Sequence, residues 1–427
     1  MVRGYTRLMN STNSRGAFTC VRARAILTAG LLCASASLVF AQTPPSTNRA
    51  RSFGPDACGP ADPTYIHTAN ETGGIPLFLQ PSEAAKAFHL VRESTRPNVA
   101  TVFWAMGTLG GKPQTIKIPV DSVTRRITLT FSTDTKYNAL KLTQPSGSAT
   151  MQGSPSTEIT DLNCGRIVTV SSPEAGEWNA EITGSGRYWV EAQAQSDIYF
   201  VAVEFVKQGG RPGHEGLFRI QGQPIAGTPA TLQASLSANE TKTAEFYLVG
   251  EGGQIVQKAQ LHAVNSGREF LEFVGGVDLP DVPFRVAVLG RDVNGKQYQR
   301  FFSSLFHAES VQVSPKLDVD ELAAGSTSHV SFTVENVGFP RTFHITVTDA
   351  HQFVSKVEPK ELTLGAGKSG TVRVDLTVPA GTAPGIGDDV VIVAASTAGP
   401  PTSNSSVVHL SVSSSGATQT GAAENPR

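Results

Sequence analysis

The stretch Pro173–Val206, PEAGEWNAEITGSGRYWVEAQAQSDIYFVAVEFV, decides the fold class. Trp178, Ala180 and Ile182 alternate with polar residues, Tyr188 and Val190 carry the same period more weakly, and Ile198–Val206 is β-branched and aromatic. A period of two belongs to strands. Gly184–Gly186 and Gln193–Asp197 supply the turns, so the stretch predicts a meander of three consecutive strands, as in a β-sandwich.

Upstream, the same grammar predicts strands at 100–105, 114–120, 126–132, 139–143 and 167–171, with Pro145-Ser146-Gly147 as a turn. Helical pattern is confined to Thr64–Gly74 and Pro81–Glu93, where Ala84, Phe88 and Val91 share a face and Pro81-Ser82-Glu83 opens the turn. Downstream, Pro283–Leu289 and Lys296–Phe302 form a hairpin closed by Asn294-Gly295, with further strands at 231–236, 243–249 and 270–274. Strands at 328–335, 343–348, 370–378, 390–395 and 406–412 complete a last set. The fold class is therefore mainly β, in tandem immunoglobulin- or fibronectin-like sandwich modules behind a short helical lead-in.

A chain of 427 residues is too long for one sandwich of about 100 residues. The expected modules are 58–207 with its helical lead-in, 216–313 and 314–413, after a Pro/Ser-rich linker at 42–57 and before a small, polar, disordered tail at 414–427. Lys+Arg 35 against Asp+Glu 36 leaves no net field to attract nucleic acid or an anionic membrane.

Arg22 and Arg24 precede the apolar run Ala25–Ala41, and Val39-Phe40-Ala41 fits a small-residue cleavage site, so residues 1–41 are expected to be an export signal. The run is short for a membrane span of about 20 residues; an uncleaved anchor is the alternative. Leu32 before Cys33 is too large for a lipidation site. Once Cys20 and Cys33 leave with the signal, Cys58 and Cys164 remain, a natural disulfide pair in an exported chain. Closing a loop of about 100 residues is worth roughly 4–5 kcal/mol in the chain-entropy picture. Two unpaired thiols are the alternative.

Several motifs carry a family resemblance. Ala69–Gly74 (ANETGG) is similar to the last turn of a von Willebrand factor A domain. Pro81-Ser82-Glu83, Ile118–Asp121 (IPVD), Gln144–Gly147 (QPSG), Pro173–Trp178 and Val282–Arg300 resemble the region after that domain in hemicentins and in von Willebrand factor A domain-containing protein 7. The last module, with Val378–Gly385 (VPAGTAPG), resembles the additional sandwich such proteins carry. The resemblance implies extracellular, adhesion-type modules. It does not carry over the A domain's metal-dependent adhesion, because that site's Asp-x-Ser-x-Ser loop, which surrounds a hard cation with oxygens, does not occur in this sequence.

The chemistry-bearing residues are scattered. His67, His89, His214, His262, His307, His329, His344, His351 and His409 show no metal-ligand spacing, and there is no Gly-x-Ser-x-Gly elbow. Gly365–Ser369 (GAGKS) lacks the first glycine of a phosphate loop and is expected to be a hairpin turn. Asp388-Asp389 and Asp318 with Asp320 are expected to be solvated loop charges rather than calcium ligands. Trp104, Trp178 and Trp189 are core candidates, with a sugar-stacking platform as the alternative if one faces outward. Asn70, Asn239 and Asn404 head sequons that would be surface glycosylation sites in a host that glycosylates exported proteins; in a bacterial host, which the alanine-rich signal suggests, they carry no meaning. No catalytic residue, metal or cofactor is expected. The functional expectation is a secreted, non-enzymatic protein for extracellular binding, adhesion or spacing, its partner an extracellular protein or glycan, with no nucleic acid and no integral membrane segment after signal cleavage. The alternative is a carbohydrate-recognising accessory protein of a separate secreted hydrolase.

Overall fold

A computed structural model describes Cys58 and residues 63–413, apart from 137–138, 151–152, 238–239, 266, 268 and 317–320. The expected signal, linker and tail, with Cys20, Cys33, Asn239, Asp318 and Asp320, lie outside the described residues. The described chain divides into two compact units that meet between Asp197 and Ile198.

The first unit opens with α1 (Pro63–Thr72), a single 3-10 turn (Pro81–Glu83) and α2 (Ala84–Ser94). Eight strands follow: β1 (Val99–Gly110), β2 (Gln114–Val120), β3 (Arg126–Thr133), β4 (Ala139–Thr143), β5 (Thr157–Leu162), β6 (Gly165–Ser171), β7 (Gly176–Thr183) and β8 (Ser185–Gln195). They form two antiparallel sheets, β1-β8-β3-β6-β5 and β2-β7-β4. Alternation decides which side chains meet between them. Ile127, Leu129, Phe131, Val190 and Ala192 from the larger sheet pack against Ile116, Ile118, Leu142, Trp178 and Ile182 from the smaller one.

The other face of the larger sheet is covered by the helical lead-in. Ile75, Leu77, Ala87 and Leu90 pack there on Trp104, Ile167 and Trp189. The helix turns a face other than the expected one to the sheet: Ala87, Leu90 and Ser94 are buried, whereas Phe88 is 64% exposed. The stripe Glu83, Ala87, Leu90, Ser94 has helical spacing too, and its small residues let the helix lie close to the strands.

The expected three-strand meander is not a meander. β7 belongs to the three-stranded sheet and β8 to the five-stranded one, with only Gly184 between them. The next strand, β9 (Phe200–Gly209), pairs within the second unit. Alternation fixes which face of each strand is buried, but hydrogen-bond partners lie elsewhere in the chain.

The second unit holds two sandwiches. In the first, β9, β10 (Gly216–Arg219), β11 (Ala230–Ser237), β12 (Thr241–Gly250), β13 (Ile255–Ala259), β14 (His262–Val264), β15 (Phe270–Val277), β16 (Phe284–Asp292) and β17 (Gln297–Phe301) make sheets β10-β9-β11-β15-β14 and β13-β12-β16-β17. The core is aromatic: Phe246 lies 4.8 Å from Phe273 and Phe205 lies 5.1 Å from Phe306. The expected hairpin is β16–β17, closed where Gly295 takes φ 76° and the Asp292 carboxylate accepts from the Asn294 and Lys296 amides.

The second sandwich of this unit comprises β18 (Val311–Lys316), β19 (Glu321–Ala323), β20 (Thr327–Asn336), β21 (Arg341–Thr348), β22 (Val354–Glu358), β23 (Glu361–Leu364), β24 (Lys368–Thr377), β25 (Gly387–Ser396) and β26 (Ser403–Ser413). Its sheets, β18-β20-β24-β22 and β19-β26-β25-β21-β23, enclose Phe332, Phe343, Val374, Ile392 and Leu410. Gly365–Gly367 is a turn, with the Lys368 amide donating to the Gly365 carbonyl, but it carries the chain from one sheet to the other and closes no hairpin.

Candidate functional site

The helical cover of the first unit is tied down along its length. Cys58 and Cys164 form a disulfide with Cα atoms 5.6 Å apart. The Glu83 carboxylate accepts from the Asn163 amide at 2.7 Å, beside that bond. His89 sits against Thr160 (2.9 Å) and Thr169 (3.1 Å) with both ring nitrogens, and Ser94 donates to Gln193 at 2.9 Å. Gln193 and Thr101 both donate to the Glu191 carboxylate. A polar layer therefore lies buried between α2 and the sheet, continued by Thr128, Thr130 and Ser132 of β3.

Charges flank this layer. Burial disfavours the ionised Glu93 carboxylate, but hydrogen bonds from Arg96 and Arg92, with Arg126 nearby, outweigh it and hold its pKa below the ordinary range. Burial lowers the His89 pKa against the attraction of Glu158. The ring is boxed in by two hydroxyls, so its role is structural.

All three tryptophans are buried at 1% exposure, which removes the stacking platform on which the accessory-protein alternative rested. Each indole N–H has a partner: Trp104 donates to the Gly74 carbonyl at 3.1 Å, Trp178 to the Glu174 carbonyl at 2.8 Å, and Trp189 to Asn70 Oδ1 at 3.2 Å. The Asn70 side chain thus supports the core of the lead-in. Asn404 is 4% exposed; its Nδ2 donates to the Gln223 and Val311 carbonyls, both at 3.0 Å, and its Oδ1 accepts from the Gln223 and Ser405 amides. Nδ2 is the atom a glycan would occupy, and both its hydrogens are engaged inside the protein.

Asp388 is not a solvated loop charge. It is 1% exposed at the start of β25, and its Oδ1 accepts from the Ala350 and His351 amides and faces His351 Nδ1, each at 3.2 Å. Its Oδ2 is buried with no hydrogen-bond partner. Burial raises its pKa, the His351 bond opposes that, and the Asp349 charge adds to it. Asp389 points to the other face and pairs with exposed His409 at 2.6 Å. Among the described residues no group of three or more His, Cys, Asp or Glu side chains converges to hold a metal ion, and no helix is long and apolar enough to cross a membrane.

Sandwiches in series, cores filled by their large side chains, and a disulfide-tied helical cover define a modular β-sandwich protein. Residues 101–197 match the family model of the hemicentin galactose-binding domain-like fold, ending at the last residue of the first unit, and residues 312–414 match the VWA7 Ig-like domain. Mouse hemicentin-1 is 26% identical over 270 residues, which is 61% of this chain and 4% of hemicentin-1. Rat von Willebrand factor A domain-containing protein 7 is 26% identical over 244 residues, 53% of this chain and 26% of that protein. The chain thus corresponds to a minor part of either relative. Solved structures align weakly: a Salmonella alpha-2-macroglobulin mutant at TM-score 0.24 and 8% identity (74% of this chain, 40% of that one), and the mouse nectin-like molecule 4 ectodomain at 0.18 and 10% (72% and 96%).

Proposed function

We propose that this protein is exported and serves, without a reactive centre, as an extracellular binding, adhesion or spacing element whose partner is an extracellular protein or glycan. The observation that carries this is the pairing of a hemicentin-type galactose-binding-like sandwich with an Ig-like sandwich of the kind found in von Willebrand factor A domain-containing protein 7. The Cys58–Cys164 bond fits the same address, because disulfides persist in oxidising compartments. In a bacterial host that address is the periplasm or cell surface. The galactose-binding-like match keeps a glycan among the partner classes, although the tryptophans, all buried, offer it no stacking surface.

The test has two arms. Expressed from its own start in a secreting host, the protein should leave the cell with Gln42 as its first residue. The secreted form should then bind, saturably and without being consumed, to a glycan array or to immobilised extracellular-matrix proteins. Retention inside the cell with residues 1–41 intact would refute export; silence on both binding surfaces would reduce the protein to a spacer.

A further inference from the structure

Within the second unit, the two sandwiches share more than a covalent linker. The chain leaves β17 at Phe301 and enters β18 at Val311, and beside this crossing runs Gln221–Ala226, part of the connection between β10 and β11. That segment is stitched to both sides. The Glu309 amide donates to the Pro224 carbonyl at 2.9 Å, the Ala226 amide to the Glu309 carbonyl at 2.8 Å, and the His307 amide to Gln223 Oε1 at 3.0 Å. Toward β26, the Gln223 backbone exchanges two hydrogen bonds with the Asn404 amide side chain, at 2.8 and 3.0 Å. Gln221 Oε1 accepts from the Ser406 hydroxyl and, at 2.9 Å, from the Val407 amide. Glu309 closes the ring by accepting from Thr402 Oγ1 at 2.6 Å and from the Ser403 amide at 3.0 Å.

Two details show that this contact is built into the fold. Asn404 also donates to the Val311 carbonyl, so one buried side chain bonds the incoming strand of the last sandwich and the loop of its neighbour. Gly222 takes φ +70°, a backbone state L side chains rarely adopt, and a Cβ there would run into Asn404 Oδ1 and approach the Ser405 carbonyl to 2.6 Å. The loop is seated as closely as a backbone without a side chain permits. Bending at this point would break a connected set of hydrogen bonds and leave several buried or half-buried groups without partners.

We infer that the two sandwiches of the second unit move as one stiff element, and that Asn404, held by Gln221–Gln223, is the positioning residue that fixes their mutual orientation. The surface offered to a partner is then a composite of both sandwiches at a set angle, and the Asn404 sequon serves the joint rather than a glycan. This inference is independent of what the protein binds.

Spin labels at Lys258→Cys in β13 and Lys356→Cys in β22, both exposed lysines, would report the angle, in the full chain with Cys20→Ser and Cys33→Ser and the native disulfide intact. Double electron–electron resonance should give one narrow distance distribution, and Asn404→Ala should broaden it several-fold. Because Asn404 also supports its own sandwich, the second variant is Gly222→Ala, whose Cβ would strike Asn404 Oδ1 and unseat the loop from it without altering the last sandwich; it should broaden the distribution while leaving the thermal transition of the last sandwich in place. A broad distribution with the joint unaltered, or a narrow one in the Gly222→Ala variant, would overturn the inference.

Discussion

Trp178 and Trp189 stand on neighbouring strands of the sequence yet belong to different cores. Trp178, on β7, points between the two sheets of the first unit with Ile118 and Ile182, whereas Trp189, on β8, points away from that core into the layer beneath the helices with Leu77 and Leu90. The five-stranded sheet is thus buried on both faces, and the helical lead-in is part of the domain's structure. That arrangement explains why β8 is buried along most of its length, including Glu191 and Gln193.

The tryptophan fluorescence of the folded protein should therefore be blue-shifted and resistant to quenching. With Trp104, Trp178 and Trp189 all at 1% exposure, acrylamide should quench the native protein several-fold less than the unfolded one, and soluble sugars should leave the emission unmoved. Replacing Trp189 with Ala should cost about 3–5 kcal/mol by opening a cavity under the lead-in. Native quenching equal to that of the unfolded chain would contradict the burial on which the loss of the sugar platform rests.

The Cys58–Cys164 link closes a separation of 106 positions and holds the lead-in against the β5–β6 turn. In the chain-entropy picture a loop of that size is worth roughly 4–5 kcal/mol. Cys164→Ser should lower the stability of the first unit by about that amount and raise proteolysis between α1 and α2 first, with the second unit unaffected. Thiol titration of the denatured, unreduced chain carrying Cys20→Ser and Cys33→Ser should find no free sulfhydryl; two would remove the bond.

The β class was legible because alternation is a local property: Ile127, Leu129 and Phe131, or Val390, Ile392 and Ala394, announce a buried face without reference to anything else in the chain. What covers the opposite face is not local. Thr128, Thr130 and Ser132 have the composition of a solvated face, yet all three are buried, and Thr128 is joined through Thr169 to His89 of α2, a contact between segments far apart in sequence. For the same reason Asp388 looked like a loop charge and Asn404 like a surface sequon. Each is polar and flanked by small or polar residues, and only the approach of Ala350–His351 or of Gln223 buries it. The helix face is ambiguous for a different reason: Ala84, Phe88, Val91 and Ala87, Leu90 both have helical spacing, and size alone favours the face that carries the exposed Phe88.

Acid should loosen the first unit before the second. The His89 pKa lies below its ordinary 6.5 because burial opposes the charged ring, and the groups around it are Glu158, Arg92, Glu93 and Arg126. A folded state that binds fewer protons than the unfolded one is stabilised at higher pH. The His89 contribution is therefore complete above about 6.5 and is lost as pH falls toward the depressed folded value. Glu93 acts the same way one step lower, its contribution complete above 4.5 and lost below it, because Arg96 and Arg92 hold the carboxylate ionised despite its burial. Melting temperature followed between pH 7 and 4 should fall in the first unit, and His89→Gln, which can still bond Thr160 and Thr169, should flatten the upper part of that fall. An unchanged profile in the variant would clear His89 of any part in it.

Asp388 runs the opposite way. Burial raises its pKa above the ordinary 3.8, so the folded state holds the proton more tightly than the unfolded one, and stability falls as pH rises through the window from 3.8 to the raised folded value. Above that window the protein carries a buried carboxylate whose Oδ2 has no hydrogen-bond partner. Asp388→Asn keeps an acceptor for the Ala350 and His351 amides and removes the charge. The variant should match or exceed the parent's stability at pH 7, by an amount on the order of 1 kcal/mol, and the difference should shrink toward zero near pH 3.8, where the parent's carboxyl is protonated as well. Asp388→Leu, which removes the acceptor too, should be destabilised at both pH values. If instead the Asn variant is clearly less stable at pH 7, the ionised carboxylate is contributing a favourable interaction, and the charge is part of what holds the 349–353 turn in place.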